Sequence, residues 1–287
     1  MRRSLLIPLL GLLACSPGTT NTSSGTGTLF IVGGGARPPE LMQQFVDLAG
    51  GVGAQIVVLP MASATPDETG AQQAEQLRQL GADARSVVLT HTQAMDSGAA
   101  DLVAGADGVW FPGGDQTRLT AALQGTPVLA ALRRRWQGGA VVGGTSAGAA
   151  VMSDSMITGS QLDAQADTMG YFGDEFPRVA RGVMELQPGF GFVTNAIVDQ
   201  HFIRRERLNR LLSVVLSHPD RLGVGIDEST ALVVRPDGTW HVVGASAVIV
   251  LDARRARISS RGTPLSASDV RLHVLPAGAT FDPRVPS

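Results

Sequence analysis

Gly144-Thr145-Ser146-Ala147-Gly148 fits the pattern G-x-S-x-G, in which a serine can act as a nucleophile. The run before it, Ala140-Val141-Val142, reads as a buried strand, and Ala149-Ala150-Val151-Met152 after it suits a helix. A nucleophile elbow requires this strand–turn–helix context, because the sharp turn lifts the hydroxyl clear of the sheet. The flanking glycines permit the turn, and a helix N-terminus beneath the serine favours developing negative charge. The chemistry would be acyl transfer with Ser146 attacking a carbonyl. The competing reading is a structural glycine-rich turn.

A serine hydroxyl needs a base, and the chain offers five histidines. His201 stands just past the apolar run Ala196-Ile197-Val198, at the active edge if that run is a strand. His91, His218, His241 and His273 fall in loops or terminal strands with no catalytic neighbours in sequence. A third group should orient the imidazole and stabilise its charged form. Glu228, Asp227 and Asp199 all qualify by position, and each could equally be a solvated turn residue. Two loops could hold an anion. Phe111-Pro112-Gly113-Gly114-Asp115-Gln116 could offer backbone N–H groups to an oxyanion, or be a plain turn capped by Asp115. Gly33-Gly34-Gly35 could do likewise but lacks the G-x-G-x-x-G spacing of a dinucleotide site. Arg204, Arg205, Arg207 and Arg210 crowd one helix start. They form either a solvated basic face or a clamp for a substrate carboxylate.

The elements that must position these residues alternate. Short apolar runs at 29–32, 55–60, 107–111 and 140–143 are separated by helix-length polar segments at Pro39 to Gly50, Asp67 to Leu80 and Gln116 to Gln124. The pattern predicts an α/β fold, a three-layer sandwich around a mostly parallel central sheet, with ligands beyond the carboxyl ends of the strands. Residues 153 to 192, with Asp163, Asp167, Asp174 and Glu175, lack periodicity and read as a functional loop. Leu208, Leu211, Leu212 and Val215 mark a helix, and from Arg221 onward short strands predict a β-rich C-terminal part.

Composition narrows the chemistry further. The chain has 287 residues, 44% hydrophobic, and its net charge is −2, which argues against non-specific nucleic-acid binding. All 23 basic residues are Arg, so a Schiff-base or P-loop lysine is excluded. The single cysteine excludes a disulfide framework and a Cys-ligated zinc site, and no metal or cofactor is expected. That cysteine, Cys15, ends Leu12-Leu13-Ala14-Cys15 after a basic start and a short apolar run. This is the layout of a secretory signal, and its end resembles a bacterial lipobox with Cys15 as the lipidation site. The expected organisation is a signal peptide over 1–15, a flexible linker over 16–27, one catalytic domain over 28–275 and a loose tail over 276–287. The product would be exported, periplasmic or extracellular, and would touch a membrane only through its lipid.

FPGGDQ (111–116), GGTSAGA (143–149), DQHFIRRERLNRL (199–211) and GIDESTAL (225–232) together resemble the cyanophycinase and aspartyl dipeptidase family of serine peptidases. Arginine at the fourth, sixth and ninth positions after His201 is more similar to the cyanophycinases. The resemblance implies a class I glutamine-amidotransferase-like sandwich in which Ser146 is the nucleophile and His201 its base. It also settles the acid, implying that Glu228 orients His201. Gly114 and Ala147 would supply the oxyanion hole. Gln116, Asp199, Gln200, Arg205, Arg207 and Arg210 would bind substrate. The implied substrate is cyanophycin, a poly-Asp backbone with Arg on each β-carboxyl, cleaved to β-Asp-Arg, or a related Asp-containing peptide. The Arg group suits its carboxylate and Asp199 its guanidinium. Family members commonly dimerise, so a homodimer is a candidate assembly. The rivals are an α-aspartyl dipeptidase, an inactive surface binding protein, and an α/β-hydrolase esterase with Asp227 paired to His241 or His273, which restores the order acid before His.

Overall fold

The computed structural model describes residues 27–162, 179–259 and 265–285. The signal with Cys15, the linker up to residue 26, and Asp163, Asp167, Asp174 and Glu175 of the expected functional loop lie outside them. The first half runs β1 (Leu29–Val32), α1 (Pro39–Leu48), β2 (Gln55–Val58), α2 (Pro66–Gln79), β3 (Asp83–Ser86), α3 (His91–Ala94), α4 (Asp101–Ala104), β4 (Gly108–Phe111), α5 (Gln116–Leu123), α6 (Pro127–Gln137), β5 (Val141–Thr145) and α7 (Ala147–Ala150). The second half continues with β6 (Ser155–Gln161), β7 (Met184–Pro188), β8 (Ala196–Gln200), α8 (Leu208–Ser217), β9 (Leu222–Ile226), β10 (Thr230–Val234), β11 (Trp240–Gly244) and β12 (Ala247–Asp252). It ends with β13 (Arg257–Ser259), β14 (Ser266–Ser268), β15 (Arg271–Pro276) and β16 (Thr280–Phe281).

The central sheet has eight strands in the order β16-β11-β10-β1-β5-β4-β2-β3. The pairings from β1 through β3 are parallel and those from β10 to β16 antiparallel. Strand alternation sends side chains to both faces. Phe30, Ile56, Val58 and Trp110 pack under Leu41 and Phe45 of α1 and Leu77 of α2. Ile31, Val57, Val109 and Val142 pack under Leu119 of α5, Leu129 of α6 and Ala149 of α7. The sheet is thus covered on both faces, as the near-continuous apolar strands require.

Three features differ from the sequence pattern. First, β8 and β9 leave the central sheet and pair with β12 and β15 in a four-stranded sheet, covered by α8. Second, the irregular 153–192 stretch contains an antiparallel pair, β6 and β7, whose register slips between Ile157 and Gln161; that slip hides the alternation. Third, the described residues beyond 275 are no loose tail, because β16 closes the sheet edge on β11 and Phe281 packs against Trp240. Two further elements were not anticipated: β3 is polar, and α6, with Val128, Leu129 and Leu132 buried, opens at Thr126, whose hydroxyl accepts from Leu129 N–H ahead of Pro127.

Helix α7 comes so close to β4 that a Cβ on Gly148 would collide with the carbonyl of Phe111. A methyl there must push backbone rather than a flexible side chain. Gly148→Ala is expected to cost about 1–3 kcal/mol, read as a lower urea midpoint at constant slope. An unchanged midpoint would contradict this packing.

Candidate active site

The ends of five strands converge where the sheet edges meet. Ser146 follows β5 directly, at φ 54 and ψ −112, a conformation that L residues rarely adopt. Its N–H donates to Val32 O at 3.1 Å, which ties the turn to the neighbouring parallel strand. His201 follows β8, also at positive φ (49), and its N–H donates to Gly33 O at 2.6 Å. Register pairs Gln200 with Ile226, so Glu228, two residues past β9, arrives at the same edge as His201.

The three side chains form one hydrogen-bonded line. His201 Nε2 lies 2.9 Å from Ser146 Oγ, and His201 Nδ1 lies 2.5 Å from Glu228 Oε1. With the ring proton on Nδ1 and donated to the carboxylate, Nε2 keeps a lone pair for the serine hydroxyl. Burial pushes the His201 imidazole below the ordinary histidine value. The hydrogen bond to Glu228 pulls it up again, and the positive charge of Arg205 opposes protonation from the exposed side. The net result is a neutral imidazole at neutral pH, the form a general base requires.

Gly33, Gly34 and Gly35, read from the sequence as a candidate anion loop, pack against the catalytic pair. A Cβ on Gly34 would run into the His201 ring, and one on Gly35 would stand 2.7 Å from Glu228 Cβ. Gly34 and Gly35 have φ of 106 and 70, and Gly34 O accepts from Ser229 N–H at 2.9 Å. The loop is a saddle across the His–Glu pair, and only glycine leaves room for it. The signal available in sequence was three glycines after a strand, which shows permissiveness but not its beneficiary.

Gly113 and Gly114 lie on the other side of the serine. A Cβ on Gly113 would stand 3.3 Å from Ser146 Cβ, and Gly114 has φ 139 with Ala62 O against it. Among the described residues, no backbone acceptor takes the N–H of Gly114 or of Ala147, the first residue of α7. Gln116 is buried, and its Nε2 donates to Ile157 O at 2.9 Å and Thr158 O at 2.5 Å. It therefore ties this loop to β6.

The remaining expected ligands are largely committed to one another. Asp199 receives both Arg210 Nε, at 2.7 Å, and Arg210 Nη2, and its carboxylate lies 3.7 Å from Arg207 Nη1. Arg207 Nη1 donates to Gln200 O at 2.8 Å and to Gln200 Oε1 at 2.5 Å. All four residues are buried. This corrects both readings of the arginine group: Arg207 and Arg210 are neither a solvated face nor an open clamp, and Asp199 already holds a guanidinium. Only Arg204 and Arg205 of the group are exposed. Asp227 is likewise committed, accepting from Ile203 N–H, Arg204 N–H and Ser246 Oγ at 3.1, 2.9 and 2.7 Å. His241 meets Thr280 and His273 stacks near Phe281, so neither esterase pairing with Asp227 forms.

A serine–histidine–carboxylate line at the end of a covered α/β sheet is the arrangement of a serine hydrolase. Residues 29–242 match peptidase family S51, and the chain belongs to that family; it is a serine-type peptidase. It is similar to the cyanophycinase of Synechococcus elongatus, 35% identical over 96% of this chain and 85% of the relative. The cyanophycinase of Trichormus variabilis is 34% identical over 91% and 87%. Among solved structures, a peptidase from an acI-B1 Actinobacterium superposes with a TM-score of 0.64 at 24% identity, covering 91% of this chain and 98% of its own. A putative peptidase E from Listeria monocytogenes EGD-e gives 0.54 at 15% identity, covering 77% and 99%. These structural matches speak to the fold.

Two predictions separate scaffold from chemistry. Removing one partner from a buried pair leaves the other charge uncompensated, so Asp199→Asn is expected to lose about 3–5 kcal/mol of unfolding free energy. A KM increase with unchanged stability would instead mark Asp199 as a ligand only. Arg205→Gln removes a charge that lowers the His201 pKa, so that pKa rises. Because neutral imidazole is the base, the acid limb of the kcat/KM profile moves to higher pH. A limb that stays put, or moves down, contradicts the electrostatics.

Proposed function

We propose that this chain is an exported serine exopeptidase that hydrolyses cyanophycin to β-Asp-Arg dipeptides. The observation that carries the chemistry is the Ser146–His201–Glu228 line, with separations of 2.9 and 2.5 Å. The similarity to cyanophycinases over most of both chains supports the substrate. The lipobox-like Leu12-Leu13-Ala14-Cys15 supports export and a lipid anchor at Cys15.

Ser146 Oγ attacks the scissile carbonyl while His201 Nε2 takes its proton. Glu228 holds the ring and stabilises the imidazolium that forms. The N–H groups of Gly114 and Ala147 stabilise the oxyanion. Collapse of the intermediate breaks the C–N bond, and His201 returns the proton to the leaving amine. Water then attacks the acyl-enzyme by the same proton route in reverse, regenerating Ser146. The buried Asp199–Arg210 and Arg207–Gln200 contacts keep His201 in register without touching the reacting atoms.

The test is incubation of the purified soluble part with insoluble cyanophycin, with β-Asp-Arg release followed by mass spectrometry. Release is expected from the wild type, and Ser146→Ala should lower kcat by roughly a millionfold. No release from the wild type sinks the polymer reading, and equal release from the variant sinks the mechanism.

A further inference from the structure

A substrate carrying arginine needs an acid to receive it, and Glu228, Asp227 and Asp199 of the site are taken. Glu228 binds His201, Asp227 caps the 203–204 backbone and Asp199 holds Arg210. An arginine hung on an aspartyl β-carboxyl places its guanidinium several bonds from the scissile backbone carbonyl. The receiving acid therefore belongs beside the catalytic line and not within it.

Glu185, the second residue of β7, is joined to the catalytic loop through Thr158 and Gln116. Its Oε2 accepts from Thr158 Oγ1 at 2.7 Å and its Oε1 from Gln187 Nε2 at 2.9 Å. Both donors are neutral, so they aim the carboxylate without cancelling its charge. Those bonds, Gln187 first and then Thr158, hold the carboxyl below the usual carboxylate range, so it is ionised at neutral pH. Among the described residues no arginine or histidine pairs with it.

Its direction follows from the strand. Met184 and Leu186 pack with Leu211 and Val214 of α8, so alternation turns Glu185 to the opposite face. Thr158 links that face to the catalytic loop: its hydroxyl holds Glu185, and its carbonyl accepts from Gln116 Nε2 at 2.5 Å. Gln116 ends the loop whose Gly113 stands against Ser146. The route from carboxylate to nucleophile is one hydroxyl, one amide and one short loop.

We infer that Glu185 is a specificity-determining residue that binds the guanidinium of a substrate arginyl group. The inference rests on the arginyl-polymer reading above. A charge-assisted pair with a planar guanidinium discriminates against an uncharged group of the same shape.

The test is calorimetric titration of the Ser146→Ala variant with β-Asp-Arg and with its citrulline counterpart. Ser146→Ala is expected to bind the arginyl ligand roughly tenfold to a hundredfold more tightly than the citrulline one. Adding Glu185→Gln should bring the two affinities together, mainly by weakening the arginyl ligand. Glu185→Gln keeps the size of the side chain and its acceptor for Thr158, so the fold should persist. Discrimination that survives Glu185→Gln, or is absent without it, overturns the assignment. The outcome is independent of polymer cleavage. If cyanophycin is not hydrolysed but the discrimination depends on Glu185, the polymer reading fails and the guanidinium site stands.

Discussion

His201 bridges two sheets. Its Nε2 reaches Ser146 at the end of β5 in the eight-stranded sheet, and its Nδ1 reaches Glu228 beyond β9 at the end of the four-stranded sheet. The contact with Ser146 does not survive a slip of one sheet against the other, so the seam must be fixed. The Gly33–Gly35 loop fixes it. Gly33 N–H donates to Thr230 O at 3.0 Å, Gly33 O accepts from His201 N–H at 2.6 Å, and Gly34 O accepts from Ser229 N–H at 2.9 Å. Ser146, His201 and Ser229 all hold positive φ at this seam. Such backbone costs on the order of 1–3 kcal/mol per residue and persists only where the surroundings over-determine it.

The charge arrangement follows from the same seam. Behind His201, Asp199, Arg207 and Arg210 neutralise one another in the interior, where an unpaired charge would be costly. The exposed Arg205 and the burial of the ring keep His201 neutral until it takes the serine proton. Carboxylates inside the scaffold are thus occupied, and Gln116 binds the β6–β7 pair to the catalytic loop.

Much of this was legible in the sequence because it is local. The strand before Ser146, the glycines around it and the helix after it lie within a dozen residues, and periodicity reads such segments well. His201 was legible as a residue beyond a strand end. The acid was legible only through the family resemblance, since Glu228 and Asp227 are adjacent and spacing does not show that Asp227 caps a turn. The arginine group misled for the opposite reason. Spacing shows that Arg207 and Arg210 share a helix face, but not that Asp199, on the preceding strand, waits beneath it. The split into two sheets, the polar strand β3 and the edge strand β16 depend on pairing between distant segments, which alternation alone does not encode.

The central claim is that Ser146 is the one activated serine, made so by a histidine held across the seam. Reaction with a fluorophosphonate probe, followed by peptide mapping, tests it most directly. The structure predicts a single adduct on Ser146 that is lost in His201→Asn. An adduct on another serine, or labelling of Ser146 that persists undiminished in His201→Asn, would contradict it.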